Sequence, residues 1–467
     1  MIWGCIFRKT HKPKSFKKIE KKRAERKRKE KLNRSKTQNG EKLISIIHRT
    51  INKNFPDLFE RIREIKDYRQ KGTYELAELI SACIAMFLFK EGSRNAFNND
   101  RQEGCFKKNY ENFFKMKLPH MDTVDDVMRQ LKESELEELK KSMLCKLLKK
   151  KSLHKYRLFG RWFVVAVDGT GVYSFSKRHC DQCLTKTSKN GTTTYSHNVL
   201  EAKLICSNGF SISIATEWIE NPEGIFNKQD CEQKAFKRLA EKLKKSFPRL
   251  PICIAADGLY PTQPFFEICR KNNWRFIVTF KEGNLPSVWK KINALQKVTD
   301  DNSRNSTIVC QSETLCREFS WINDIDYHGY QLNWIQCVES SDKKNSKTTS
   351  FVHLTDIEIN WTNAPDISMT GRLRWKIENE GFNTQKNHGY NLQHKYSRSS
   401  YLAAKNYYQC MQIAHLINQL VELSSNCAKL LQKKTTIKHL WKCLIGFFTY
   451  GVIKCKKYDF SNQTGFG

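Results

Sequence analysis

The chain has 467 residues, 39% of them hydrophobic, enough for about three domains with real cores and too apolar for a wholly disordered protein. Its 82 basic against 48 acidic side chains leave a formal charge of +34, which says little about fold and points to polyanionic partners. The seventeen cysteines are scattered through segments with ordered patterning, "MIWGCIF" is too short for a secretory apolar region, and the longest apolar windows are about half a membrane span. A disulfide scaffold and a membrane protein are thereby excluded in favour of a reduced, cytoplasmic chain.

Residues 1–40 read as a basic flexible tail. The run "RKTHKPKSFKKIEKKRAERKRKEKLNR" is either able to lie along phosphates or merely a solvated charge run. From 41 to 155 the pattern is helical. "TYELAELISACIAMFLF" has helical spacing, and "MDTVDDVMRQL" opens with an Asp/Thr cap signal before Val124, Val127, Met128 and Leu131. Leu136, Leu139, Met143, Leu144, Leu147 and Leu148 continue the rhythm. This is expected to be a helical DNA-binding region, although it has no helix-turn-helix signature.

Over 156–282 the period changes. "WFVVAVD" predicts a buried strand that stops at Asp168-Gly169, and "NVLEAKLIC" and "FSISIATEWI" flank the hairpin turn "SNG". A helix with Phe236, Leu239 and Leu243 on one stripe follows, then strand "PICIAAD", helix "TQPFFEICRKN" and strand "WRFIVTF". The order β-β-β-α-β-α-β predicts an α/β mixed sheet. Residues 283–365 read as a β-rich antiparallel insertion, and 366–425 return to the core with "GRLRWKIENEGFNTQKN" and the amphipathic "YLAAKNYYQCMQIAHLINQLVELSS". Residues 426–467 form a helical C-terminal region.

Asp-Gly alone is a turn signal, but Asp168 and Asp257 both end buried runs that the strand order can set side by side. Two carboxylates so placed repel unless a cation lies between them, and hard oxygen ligands suit Mg²⁺ or Mn²⁺. Glu378 is the expected third acid: on a helical wheel it shares an arc with Trp375 and Phe382, which should face the protein, whereas Glu380 lies on the opposite side. Three acids around two ions form a clamp for in-line phosphoryl displacement.

The segments "VAVDGTG", "AADG" and "RWKIENEGFNTQK", in this order, resemble the DDE transposases of bacterial insertion sequences, which have a ribonuclease-H-like core. The likeness runs from roughly Asp67 to Gln419. It is similar to the subgroup with a β-rich insertion before the glutamate and a Tyr-Arg-Glu-Lys signature. The resemblance implies that Asp168, Asp257 and Glu378 are catalytic and hold two Mg²⁺ (or Mn²⁺) ions, and that Arg374 is the signature arginine, binding a DNA phosphate. Lys386, eight residues after Glu378 rather than seven, stands near the signature lysine; Gln385 occupies the expected place and Gly371 the tyrosine position. The implied activity is cleavage of transposon ends and strand transfer, by a homodimer holding inverted-repeat and target DNA at the bacterial nucleoid. The alternatives are a nuclease of the same core without strand transfer, or a DNA-binding derivative without catalysis.

Two further patterns stand apart. His179, Cys180, Cys183 and His197 have the spacing of a partial zinc site, with His388 and His394 as candidates to complete it, or form a loop with two free thiols. "SRNAFNNDRQ" and "QKNHGYNLQHKYSRSS" suit either DNA contacts or polar surface loops.

Overall fold

Unbroken apolar runs have no polar face to give to water, so the strands they form lie in the interior of a sheet. The computed structural model describes residues 25, 38–222, 228–297, 302–309, 314–342, 348–431, 435–454, 458 and 460. The expected basic tail falls almost wholly outside them. Strand β1 (Phe163–Phe175) pairs antiparallel with β3 (Thr193–Ile205) and parallel with β5 (Ile252–Ala256). The expected hairpin joins β3 to β4 (Ser211–Ile219), with Gly209 at φ +104° in its turn. β6 (Arg275–Thr279) extends the parallel pairing beyond β5, giving the run β4-β3-β1-β5-β6. A short polar strand, β2 (Leu184–Thr187), adds to the outer end of β3 and has no apolar pattern to announce it.

The β-rich segment consists of β7 (Ser303–Val309), β8 (Thr314–Tyr327), β9 (Tyr330–Ser341) and β10 (Thr349–Thr355), antiparallel as expected. It is not a separate unit. β10 pairs with β6 from His353↔Thr279 to Thr355↔Ile277, so one open sheet of ten strands crosses the molecule.

The N-terminal helices are α1 (38–54), α2 (Leu58–Glu64), α3 (Leu76–Leu88), α4 (Arg94–Gln102), α5 (Phe106–Phe114), α6 (Met121–Met128) and α7 (Glu133–Lys149). α8 (Glu232–Ser246), α9 (Gln263–Asn272), α10 (Pro286–Leu295) and α11 (Ala364–Leu373) pack along the sheet. α12 (Thr384–Asn387), α13 (Tyr401–Glu422), α14 (Ser425–Leu431) and α15 (Ile437–Tyr450) complete the chain. Three expectations are corrected here. "SRNAFNNDRQ" is no loop: it forms α4, capped by the Ser93 hydroxyl, with Arg94 paired to Asp122 and Asp125. α6 is capped by His120, whose side chain accepts from the Asp122 amide, rather than by an Asp or Thr.

The third correction concerns α13, which is buried on nearly all sides rather than amphipathic, because it lies between α3, α6 and α7 and strand β4. Its amides face buried charges instead of water. Lys140 Nζ donates to Ser213 (3.0 Å), Thr216 (2.8 Å) and Gln409 (2.9 Å), and the Thr216 hydroxyl donates to buried Glu201. Lys203, also buried, donates to Gln412 at 3.0 Å. Such charges are tolerable inside only when paired and hydrogen-bonded. The N-terminal helices also pack against α15: the Asn109 amide on α5 donates to the carbonyls of Phe448 and Gly451 at its end. Among the described residues no helix is long and apolar enough to cross a membrane.

Candidate active site

β1 and β5 are in register from Phe163↔Ile252 to Ala166↔Ala255. Asp168 and Asp257 therefore each stand two residues beyond the last pair, just past the carboxyl end of the parallel ladder shared by the two strands. Their glycines have different uses. Asp168-Gly169 is not a turn, because β1 runs on to Phe175 against β3. Asp257 does open a turn: its carboxylate accepts from the Leu259 amide at 2.8 Å, and the Tyr260 amide donates to its carbonyl.

Glu378 arrives on a nearly continuous helical segment in which α11 is followed by a π-helical stretch, Ile377–Asn383, and then α12. Arg374 is buried at 7% exposure, and its Nη1 lies 2.7 Å from Glu378 Oε1 and 3.7 Å from Asp168 Oδ2. The expected phosphate ligand thus turns inward to the acids, with its Nε lacking a hydrogen-bond partner among the described residues. The wheel that placed Trp375 against the protein is corrected: Trp375 is 52% exposed, while Phe382 is buried as expected. Trp375 precedes the π stretch, and its ring lies at the surface with the Arg374 guanidinium 4.7 Å from its centre. Glu380 pairs with Lys376 at 2.5 Å. Lys386 is half-buried on α12, and its neighbour Gln385 is buried against Gln412 and His415. At the tyrosine position, a Cβ on Gly371 would come within 2.4 Å of the buried His353 ring, so no larger residue fits without displacing it.

A fourth acid, Glu232 at the start of α8, joins the other three. Its Oε1 accepts from the Tyr260 hydroxyl at 2.8 Å, and its Oε2 lies 2.7 Å from where a Cβ on Gly169 would be. Sequence reasoning missed it because an acid in a first helical turn is commonplace. The trace it leaves is the glycine after Asp168, which makes room for its carboxylate. Burial pushes the Asp168 carboxyl from 3.8 up to about 7; Arg374 pulls it back, while Glu378, Glu232 and Asp257 push further. Burial also raises Glu232, against the Tyr260 hydrogen bond.

The donor set fits a hard divalent cation: several carboxylates, partly desolvated, are balanced by a single guanidinium. Asp168, Asp257 and Glu378 are the residues able to hold such an ion. They are not drawn into a closed cage, since the Arg374 guanidinium stands between two of them. Elsewhere, His179, Cys180 and His197 do bring potential ligand atoms within 4.8 Å of one another. Beside Asp257 opens a cleft of about 640 Å³ whose lining includes Lys281, Trp289, His353, Arg372, Arg374 and Trp375. No protein-family model matches the chain, and no curated protein matches it.

Proposed function

We propose that the chain is a metal-dependent DNA phosphoryl transferase of the DDE transposase type, cutting transposon-end DNA and joining the freed 3′-hydroxyl to target DNA. The observation that carries this reading is the placement of two aspartates at equal distances beyond the last in-register pair of adjacent parallel strands, with a later helix bringing an arginine-bound glutamate towards the first. The strand order β4-β3-β1-β5-β6, with β3 antiparallel to its neighbours, supports the finer reading of the sheet as a ribonuclease-H-like core.

Two Mg²⁺ or Mn²⁺ ions on these acids would supply the Lewis acidity that activates a water or 3′-hydroxyl and stabilises the leaving oxygen. The chain's own residues provide the rest. Asp168, Asp257 and Glu378 are the ligands, and Glu232 adds negative charge that favours a cation at the site. Arg374 holds Glu378 towards Asp168 and would be the guanidinium nearest to a phosphate bound at these acids. The cleft beside Asp257 offers Trp289 and Trp375 as stacking faces and Lys281 and Arg372 as phosphate partners for a DNA strand. A π turn takes about one more residue than an α turn, which accommodates the extra residue before Lys386. The expected partners are inverted-repeat and target DNA, held by a homodimer.

The test uses duplexes carrying the DNA that flanks the gene, incubated with the full chain and Mg²⁺ or Mn²⁺. The expected result is 3′-end cleavage and, with pre-cut ends, a joined product. Cleavage without joining reduces the function to that of a nuclease. Absence of metal-dependent cleavage, or full-rate cleavage after Asp257→Asn, overturns the proposal.

A further inference from the structure

Away from the acids, the far end of β1 meets a cluster of sulfur and imidazole ligands. Cys180 Sγ lies 3.8 Å from Cys183 Sγ, and His197 Nε2 lies 3.4 Å from each sulfur. With Zn–S near 2.3 Å and Zn–N near 2.0–2.1 Å, the ligand atoms of a tetrahedral ion stand about 3.5–3.8 Å apart. The three sides of this triangle are close to those edges. The fourth corner has a candidate in His179, grouped with Cys180 and His197 within 4.8 Å. Its Nδ1 is buried with no hydrogen-bond partner among the described residues, and its Nε2 lies 2.7 Å from the Arg398 carbonyl. One nitrogen tied to a carbonyl and the other left open is the arrangement that orients a ligating imidazole.

The surroundings are built to hold these side chains. The Cys183 amide donates to the Cys180 carbonyl. The Asn221 amide donates to the Cys183 carbonyl at 2.8 Å. The His197 ring stacks on Tyr401 at 3.7 Å, and the His179 ring on Phe175 at 4.6 Å. A loop held only by two thiols would not need this degree of support.

We propose that Cys180, Cys183, His197 and His179 bind one structural zinc ion, an inference independent of the transposase reading. Thiolates and imidazoles select zinc over the hard ions suited to the acids. The ion would tie the end of β1 and strand β3 to the segment between the π stretch and α13, through the Arg398 carbonyl and Tyr401. It would be a clasp on the two parts of the chain that carry Asp168 and Glu378, with no part in the chemistry.

The full chain, purified without added metal and dialysed, is assayed for zinc by elemental analysis and then exchanged with Co²⁺. One zinc per chain is expected, and the cobalt form should show thiolate-to-cobalt charge-transfer bands and intense visible bands of tetrahedral geometry. Oxygen ligation at the acids gives no charge-transfer band, so the two sites are separable. Cys180→Ser should lose the zinc, and His179→Ala should alter the cobalt spectrum. The wild-type spectrum serves as the readout if a variant fails to fold. No zinc in the wild type, no charge-transfer band, or a Cys180–Cys183 disulfide as isolated overturns the site; an unchanged spectrum in His179→Ala removes that residue from the set.

Discussion

The acids make a prediction opposite in sign for stability and for activity. Asp168→Asn removes a carboxylate whose pKa burial raises from 3.8 to about 7. Because the folded-state value is the higher one, the resulting penalty is absent below pH 3.8, grows as pH rises towards 7, and is constant above. At 1.36 kcal/mol per pH unit, the raised pKa costs the metal-free fold about 4 kcal/mol at pH 8, where Asp168 is ionised, and about 2 kcal/mol at pH 5, where folding must protonate it. Denaturant titration in EDTA should therefore find Asp168→Asn more stable than wild type at pH 8, by up to that amount, with the gap shrinking at pH 5. Added Mg²⁺ should stabilise the wild type and leave the variant unmoved, and the variant should be catalytically dead. A variant no more stable than wild type at pH 8 in EDTA, or stabilised equally by Mg²⁺, would refute the reasoning.

Three other outcomes are expected. Glu232→Gln keeps an acceptor for Tyr260 but removes a charge that pushes Asp168 up, so the acidic limb of the pH–rate profile should move to lower pH; an unmoved limb counts against Glu232 as part of the site. Gly371→Ala drives a methyl into the His353 ring and should cost about 1–3 kcal/mol in a urea titration, as overpacking does. Lys140→Met leaves buried Ser213, Thr216 and Gln409 short of a donor and Glu201 short of a nearby cation; a loss of about 3–5 kcal/mol is expected from the denaturation midpoint.

How much of this was legible in the sequence follows from what each pattern encodes. β1, β5 and β6 announce themselves because unbroken apolar runs have few other structures open to them, β3 and β4 through the hairpin turn between them, and Asp168 and Asp257 stand out as the polar residues that end two of those runs. The pairing of β10 with β6 is invisible, since no local pattern names a strand's partner. Trp375 misled because a large aromatic on the acid's arc was taken as buried, whereas its ring stands at the surface beside the Arg374 guanidinium. α13 misled because its amides read as a wet face, whereas Asn406, Gln409 and Gln412 serve buried carbonyls and lysines. Glu232 was hidden among ordinary helix-start acids.

The four-pair register between β1 and β5 limits how this chain can diverge. Side chains alternate along a strand, so a single-residue deletion between Ile252 and Asp257 would swing Asp257 to the other face of the sheet, away from Asp168. Deleting two would restore the face but draw the carboxylate back by about 7 Å, beyond the reach of a shared ion. Length variation among descendants of this protein is therefore confined to loops such as the one around Gly209, and the short stretches from strand start to aspartate form a ruler that substitution can retouch but not resize.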